Sequence, residues 1–435
     1  MIRALLKNRV AKNASWIIIC KIAQAVLGLI ISVLTARYLG PANYGVISYA
    51  QSLATFITPI AQLGFTSTLV HELVNHPEHQ GEVMGSAIRM SVISSILCMA
   101  MLIGFVSLSS PEEPETILVC GLYSLVLLMQ SLELIQYWFQ ARLLSKYSAV
   151  LTLIAYAVMS VYQVVILITQ KSVIWFAIAK AIEYCIVAVF LLVIYHRLSG
   201  QKLRWNGSFA RKMIAHSRPF MLSSVLVMTF AQADRLMIKM MMGNTPMGYY
   251  SAAVACANLT DFVFIALIDS MRPMILKEKL VSASKYEKGM VLLYGVVIYL
   301  ALLQSLFITA FAKPIVGILY GNDYLYSVRA LQIIVWYTAF SYMGMARNVW
   351  ILGEGKERLL VLINLCGAIC NIVLNAFLIP YWGIEGAALA SLITQIFTNW
   401  GLGYLIPVIR PNNRLIRQSL NLRNVFGLLR QMSAE

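Results

Sequence analysis

Ionisable side chains that interrupt long apolar runs are the features of this sequence that could do chemistry. A charged group inside a membrane is costly unless it meets a partner or a wet cavity, so such residues mark functional candidates. Lysine and arginine there could bind an anion through charge-assisted hydrogen bonds, and carboxylates could exchange protons. The positions are Lys21, Glu133, Lys180, Glu183, Asp234, Arg235, Lys239, Asp261 and Asp269, with Arg89 and Arg347 near the ends of runs.

Two of these cations, Arg235 and Lys239, belong to a polar stripe. Its members recur at a spacing that places them on one face of a helix, opposite an apolar surface. They are Ser224, Met228, Gln232, Arg235 and Lys239. Asp234 is the neighbour of Arg235 in the sequence and therefore points to a different face.

A weaker polar stripe lies near the N-terminus, in the first apolar run. Its members are Lys21, Gln24, Gly28, Ser32 and Thr35. If both stripes face one central volume, their cations and amides could bind an anionic substrate there. The predicted substrate-binding residues are Lys21, Gln24, Gln232, Arg235 and Lys239. A structural polar interface between the helices is the alternative explanation.

Carboxylates supply the candidates for coupling. Asp261 falls near the middle of its apolar run, where a carboxylate could exchange protons. Asp261 and Asp234 are therefore the predicted coupling residues. An ion pair of Asp261 with Arg235 or Lys239 is the competing interpretation.

The other ionisable positions have structural explanations. Lys180 and Glu183 stand three residues apart, which predicts mutual neutralisation on one helix face. Four others lie within about two helical turns of a predicted span end, from which a long side chain can reach the membrane surface. These four are Arg89, Arg347, Asp269 and Glu133.

The composition identifies the elements that position these residues. Of the 435 residues, 60% are hydrophobic and 12% are charged, far from the balance of soluble domains. The apolar runs are long enough to cross a bilayer as helices, and we predict about twelve of them. The seven cysteines lie inside these runs and predict no disulfide or metal site. Because there is no phosphate-binding loop or nucleophile–base set, we predict no enzyme, cofactor or catalytic residue.

Lysine and arginine determine the expected orientation, because positively charged connections stay in the cytoplasm. One alternate set of connections holds nearly all of them, whereas the opposite set includes the acidic segment 110–115. Both termini are therefore expected in the cytoplasm. This topology, with attraction to anionic headgroups, explains the net charge of +16 better than nucleic-acid binding does.

The longest basic connection, 196–218, divides the chain into two predicted halves. They are an N-terminal six-helix bundle at 1–195 and a C-terminal six-helix bundle at 219–407, followed by a cytoplasmic basic tail at 408–435. A shared pattern suggests a duplication, with the symmetry axis along the membrane normal. The matched positions are Gly40, Gly45, Ser48 and Ala50 against Gly243, Gly248, Ser251 and Ala253. Chance recurrence of glycine-containing turns is the alternative.

Three short motifs carry a resemblance to a known family. They are Ala36-Arg37-Tyr38-Leu39-Gly40-Pro41 followed by Tyr44-Gly45, Asp234-Arg235 before Gly248-Tyr249-Tyr250, and Pro380-Tyr381-Trp382-Gly383-Ile384-Glu385-Gly386-Ala387-Ala388. With these motifs in order along nearly the whole chain, the sequence resembles the polysaccharide transporter family. These are the Wzx-type flippases of the multidrug/oligosaccharidyl-lipid/polysaccharide exporter superfamily.

The resemblance implies an all-α, MATE-like fold of two six-helix bundles around a cavity that opens alternately to either side. It implies a cargo of undecaprenyl-pyrophosphate-linked oligosaccharide, flipped from the cytoplasmic to the periplasmic leaflet for O-antigen or a related surface polysaccharide of lipopolysaccharide biosynthesis. The expected location is the bacterial inner membrane. The expected partners are membrane lipid, a polysaccharide polymerase and a chain-length regulator, with protons or Na⁺ as alternatives for coupling.

Two other function classes are rivals to a flippase. A multidrug or cation antiporter on the same fold would need a cavity richer in acids and aromatic residues than in lysine and arginine. A membrane-bound polysaccharide polymerase or glycosyltransferase would be expected to have a large periplasmic loop. Every predicted periplasmic connection here is short, which disfavours the polymerase.

Overall fold

The computed structural model describes residues 9–199 and 201–434. Apart from the connections between helices, these residues are helical. By contacts the chain divides into two compact units, one ending at Gln232 and the other beginning at Ala233. We call them unit 1 and unit 2. The helices of unit 1 are α1 (Arg9–Ala61), α2 (Leu69–Asn75), α3 (Gln80–Ser109), α4 (Pro114–Glu133), α5 (Gln136–Ala141), α6 (Ser145–Ile168), α7 (Val173–Leu198) and the first part of α8 (Gly207–Met242).

Unit 2 begins inside α8 and ends with two short C-terminal helices. Its remaining helices are α9 (Asn244–Ala257), α10 (Asp261–Lys279), α11 (Ala283–Leu319), α12 (Ser327–Gly353), α13 (Arg358–Ile396), α14 (Leu402–Leu405), α15 (Arg410–Ser419) and α16 (Leu422–Ala434). A π-helical turn, Phe397–Gly401, joins α13 to α14.

Nine helices in the described part of the chain are long and apolar enough to cross a membrane. Two of them are too long for a single crossing. The span Ala23–Ala61 has 39 residues, and Arg358–Leu405 has 48. At 1.5 Å per residue these extend about 58 Å and 72 Å, roughly twice the thickness of the hydrocarbon layer. Each changes direction at a glycine with non-helical dihedrals, Gly40 in α1 and Gly383 in α13.

Dividing these two helices at their glycines adds two crossings to the nine. Helix α12, of 27 residues, is also long enough to cross but carries Arg329 and Arg347. The total agrees with the predicted count of about twelve and confirms the all-α membrane fold. The predicted domain boundaries stay a prediction, because α8 begins at Gly207, within the predicted basic connection, and passes without interruption from unit 1 into unit 2.

Gly40 and Gly243, equivalent positions in the proposed duplication, have nearly the same backbone conformation. Gly40 has φ 69° and ψ 171°, and Gly243 has φ 92° and ψ −168°. Side chains other than glycine rarely adopt this region, so both positions require glycine at the turn between consecutive helices. Gly321, outside the proposed duplication, has the same conformation with φ 89° and ψ 177°, so this turn recurs in the chain and the duplication stays a prediction.

The basic connection after α7 is held on the beginning of α3. The amide of Gly81 donates to Gln201 Oε1 at 2.8 Å, and the amide of Arg204 donates to the Gly81 carbonyl at 3.1 Å. Asn206 exchanges hydrogen bonds with Ser86 and donates from Nδ2 to Glu82 at 2.6 Å. The connection therefore has a defined path on unit 1.

The predicted basic tail is likewise ordered against unit 2. Helices α15 and α16 pack on α11, where Tyr294 donates to the buried Asn412 and the Tyr299 hydroxyl donates to the Leu420 carbonyl at 2.7 Å. Ile409, Leu415 and Ile416 belong to a hydrophobic core of the unit. Most of the other residues of this core come from α10, α11 and α12. The arginines of α15, in contrast, are exposed.

Candidate functional site

Asp234 is the centre of a buried polar cluster in unit 2. It lies on the last part of α8 and accepts hydrogen bonds from the hydroxyl of Tyr250 on α9 and from Ser391 Oγ on α13 at 3.3 Å. Its own carboxylate also accepts from the backbone amide of Arg235 at 2.8 Å. These donors stabilise a carboxylate that the surrounding helices remove from water.

The cluster continues along α13. Asn371 Nδ2 donates to Ser391 Oγ at 3.2 Å, and Asn375 Nδ2 donates to Asn371 Oδ1 at 2.9 Å. Both asparagines are fully buried, and the Oδ1 atom of Asn375 has no hydrogen-bond partner. Carboxylate, hydroxyl and amide oxygens are the ligand types that hard cations prefer. No group of three or more His, Cys, Asp or Glu side chains is placed to hold a metal in residues 9–199 and 201–434.

Asp261 lies next to the break between α9 and α10. A 3₁₀ turn, Asn258–Thr260, separates α9 from α10, and Asp261 is the first residue of α10. Its carboxylate accepts a hydrogen bond from the Tyr342 hydroxyl of α12, and the Tyr342 ring stacks on Phe264 with centroids 3.8 Å apart. Among the described residues, Asp261 forms no ion pair, so the competing interpretation with Arg235 or Lys239 is wrong.

The polar stripe of α8 is enclosed by its neighbours to different degrees. Gln232 and Lys239 are buried, with Lys239 5% exposed, whereas Arg235 is half-buried. The three side chains all have polar or electrostatic interactions. The stripe therefore carries cations in the apolar part of the chain, and its role in binding a substrate stays a prediction.

The weaker stripe of α1 turns partly toward its own unit. Gly28 packs against the Tyr156 hydroxyl of α6, and Ser32 Oγ lies 3.2 Å from the hydroxyl of Tyr44, beyond the Gly40 turn. Gln24 is half-buried. Lys21 lies in α1, but its side chain is outside the described part of the structure.

Lys180 and Glu183 form the predicted pair on α7. Lys180 Nζ donates to both Glu183 oxygens, at 3.0 Å and 2.9 Å. The ammonium also lies over the rings of Tyr156, 5.0 Å from its centroid, and Tyr184, at 5.8 Å. Mutual neutralisation is therefore observed, with aromatic contacts that the helical spacing alone does not predict.

Two residues expected to reach the membrane surface are buried instead. Glu133, at the end of α4, is 9% exposed, and Arg347, in α12, is 5% exposed. Arg347 donates to the Thr398 carbonyl at 2.7 Å, in the π-helical turn where backbone carbonyls are displaced from their regular partners. Both side chains are buried at a helix break, Glu133 where α4 ends and Arg347 beside the π-helical turn, so the snorkelling predicted for these two is wrong. Arg89 and Asp269 are exposed, as expected.

Comparison with known proteins shows the family of the chain. The model of the family described as polysaccharide biosynthesis protein matches residues 10–279. The chain belongs to this family. The predicted resemblance to polysaccharide transporters is thereby confirmed.

Two relatives match most of the length of this chain. An uncharacterized membrane protein of Methanocaldococcus jannaschii is 21% identical over 438 residues, covering 92% of this chain and 85% of the relative. The capsular polysaccharide biosynthesis protein CapF of Staphylococcus aureus is 21% identical over 398 residues, covering 88% of this chain and 96% of CapF.

Solved structures show that the fold is MATE-like. The inward closed conformation of the lipid II flippase MurJ matches with a TM-score of 0.67 at 14% identity, covering 92% of this chain and 90% of that one. An inward-facing multidrug resistance MATE family transporter of the MOP superfamily matches with a TM-score of 0.65 at 12% identity, covering 89% and 96%. At these identities the likeness shows the fold alone.

Proposed function

We propose that this protein is a flippase that moves an undecaprenyl-pyrophosphate-linked oligosaccharide from the cytoplasmic to the periplasmic leaflet by alternating access. The observation that carries the proposal is the pair of cations, Arg235 and Lys239, enclosed in the apolar part of a member of the polysaccharide biosynthesis family. A pyrophosphate is a dense anion that such cations can bind through charge-assisted hydrogen bonds. The similarity to a capsular polysaccharide biosynthesis protein, CapF, and to the lipid II flippase MurJ supports a lipid-linked glycan precursor as the cargo.

The proposed binding residues have separate tasks. Arg235, Lys239 and Lys21 supply positive charge to the pyrophosphate, for which either guanidinium or ammonium groups suffice. Gln232 and Gln24 supply amide groups that can donate to and accept from sugar hydroxyls or phosphate oxygens. All five assignments are predictions of a binding role, not a catalytic one, and we call the two α8 cations, Arg235 and Lys239, the cationic path.

Asp261 and Asp234 are the proposed coupling residues. Each accepts a hydrogen bond from a tyrosine, Tyr342 or Tyr250; Asp261 follows the 3₁₀ turn between α9 and α10, whereas Asp234 lies within the continuous helix α8. Protons are the proposed coupling ion at Asp261. Na⁺ is the alternative at Asp234, where the oxygens of Ser391 and Asn371 lie in the same cluster.

The proposed setting is the bacterial inner membrane with both termini in the cytoplasm. This orientation follows from the distribution of lysine and arginine. A polysaccharide polymerase that consumes the flipped cargo and a chain-length regulator are the proposed protein partners. O-antigen or a related surface polysaccharide is the proposed end product.

Reconstitution tests the proposal directly. The purified protein would be placed in lipid vesicles that contain an undecaprenyl-pyrophosphate-linked oligosaccharide, and the fraction of sugar accessible to an added lectin would be followed over time. We expect the protein to raise the rate of transfer between leaflets, and Arg235→Ala to lower it. Transport of a cationic drug by the same vesicles, without transfer of the glycolipid, would instead support the antiporter.

A further inference from the structure

Glu133 differs from the other buried carboxylates of the chain. Among the described residues it has no hydrogen bond and no ion pair, although it is 9% exposed. The other buried acids all have partners: Glu72 with His216, Glu183 with Lys180, and Asp234 with Tyr250. A buried carboxylate without a partner is costly as an anion, and binding a proton is the usual way to remove that cost.

Glu133 and its two charged neighbours comprise two acids and one base. Glu183 and Lys180 of α7 are both close enough to interact electrostatically with its carboxylate. Because Lys180 Nζ already contacts both oxygens of Glu183, the three groups together carry a net charge of −1 when all are ionised. One proton neutralises the group, and Glu133 is its only member without a hydrogen-bonded counter-charge in the described structure.

The remaining titratable neighbours are tyrosines from three helices. Tyr184 of α7 and Tyr137 of α5 lie within electrostatic range of Glu133, and Tyr156 of α6 lies under Lys180. Neutral hydroxyls of this kind can donate to a carboxylate or accept from a protonated acid. When Glu133 gains or loses a proton, these hydroxyls can change from donating to accepting a hydrogen bond, and they remain uncharged.

Glu133 lies at a helix break, between α4 and α5. Helix α4 ends at Glu133, and α5 begins at Gln136. One turn earlier on α4, Gln130 Oε1 accepts from Thr58 Oγ1 of α1 at 3.2 Å, so this face of α4 is polar up to the break. A discontinuous helix inside a membrane occurs where the backbone is buried in protein or lines a cavity.

We propose that Glu133 is a proton-binding site of unit 1, with Lys180 and Glu183 as the fixed charges that set its occupancy. The site is separate from Asp234 and Asp261 of unit 2. Its use in coupling rests on the proposed flippase function, whereas proton binding itself does not. A bound inorganic cation in place of the proton is the competing occupant.

Infrared spectroscopy of the protein in lipid vesicles tests proton binding without any cargo. As the pH is lowered in a Na⁺-free buffer, a carboxyl C=O band from Glu133 should appear. We expect that band to be lost in Glu133→Gln, displaced in Glu133→Asp, and kept in the matched control Asp261→Asn. A titrating spectrum that is the same in wild type, Glu133→Gln and Glu133→Asp would overturn the proposal.

Two further outcomes are informative. If the Glu133→Gln protein does not accumulate in the membrane, Glu133→Asp alone tests the source of the band. An unchanged band position in Glu133→Asp would show that Glu133 is not that source. If the band is absent from the wild type and adding Na⁺ or K⁺ raises the melting temperature of wild type but not of Glu133→Gln, the occupant is a metal cation and the proton site is wrong.

Transport separates this inference from the proposed function. In vesicles with the lipid-linked oligosaccharide, an imposed pH gradient should change the transfer rate of the wild type, and Glu133→Gln should lose that change. A wild type that transfers no glycolipid contradicts the flippase proposal but leaves the infrared result standing. Wild-type transfer with an unaltered gradient response in Glu133→Gln removes Glu133 from coupling.

Discussion

The two units bury negative charge in different ways. In unit 2, the Asp234 carboxylate accepts hydrogen bonds from neutral donors, the hydroxyls of Tyr250 and Ser391 and the amide of Arg235, with the charged Arg235 side chain in electrostatic range. In unit 1, Glu183 is neutralised by a full countercharge on Lys180, and Glu133 has no hydrogen-bonded partner in the described structure. Neutral donors stabilise the Asp234 carboxylate without adding a charge, whereas one lysine shared by Glu133 and Glu183 leaves an excess negative charge that a proton can remove.

The difference predicts different responses to mutation. A countercharge cannot be removed without stranding the partner, but one of several neutral donors can be lost with a smaller effect. Unit 1 should therefore be the more sensitive to loss of a single charged group.

Lys180→Met should have the largest effect on stability. It removes the only countercharge that Glu183 has among the described residues and leaves two acids, Glu183 and Glu133, in electrostatic range of each other. We expect a loss of roughly 3 kcal/mol, at the lower end of the range for broken buried pairs because 33% of the Lys180 side chain is exposed. Unfolding in detergent measures the change. The double variant Lys180→Met/Glu183→Gln should recover most of the loss, and failure to recover would mean that packing, not charge, dominates.

Tyr250→Phe should cost less, because Asp234 keeps two other donors. Hydrogen bonds to charged groups contribute about 1.5–3 kcal/mol, and we expect a loss of about 2 kcal/mol here. The same unfolding measurement applies, with Tyr249→Phe, the adjacent tyrosine outside this cluster, as the matched control. A loss larger than that of Lys180→Met would reverse the contrast between the units.

Several parts of this arrangement could be predicted from the sequence. Apolar runs separated by basic connections predict the helices, and the i, i+3 spacing predicts the Lys180–Glu183 contact that the structure shows. The duplicated Gly40 and Gly243 also have a physical reason, a backbone region that needs glycine. These features depend on local spacing or on summed hydropathy, which a sequence contains directly.

Other parts depend on where helices break and which faces meet. Glu133 and Arg347 lie near the ends of predicted spans, which predicts side chains at the membrane surface. Both are instead buried, beside the helix breaks after Glu133 and at Phe397–Gly401. Asn371 and Asn375 carry no charge and lie inside an apolar run, so nothing in their spacing marks them as partners of Ser391. Their role becomes visible only when α8, α9 and α13 are packed together.

Arg235→Ala tests the cationic path and should affect transport more than stability. Loss of one charge-assisted contact to the cargo corresponds to roughly a tenfold lower rate, about 1.4 kcal/mol. Because the contact is to a mobile anion, Arg235→Lys should retain much of the activity. Surface glycan in cells that lack their own flippase is the readout, beside protein abundance in the membrane. Normal abundance with full glycan in Arg235→Ala would exclude the residue from the path; disappearance of the protein would make it structural.

Ser391→Ala should have the smallest effect and is the most sensitive test of the neutral-donor arrangement. Ser391 Oγ donates to Asp234 at 3.3 Å and accepts from Asn371 at 3.2 Å, both near the long end of hydrogen bonding. Hydrogen bonds between membrane helices average about 0.6 kcal/mol, so we expect a loss of that order for the variant. Combined with Tyr250→Phe, the loss should exceed the sum of the single changes, because the two substitutions together remove both hydroxyl donors to Asp234. Additive losses, measured by a double-mutant cycle, would show that the Arg235 amide alone satisfies the carboxylate.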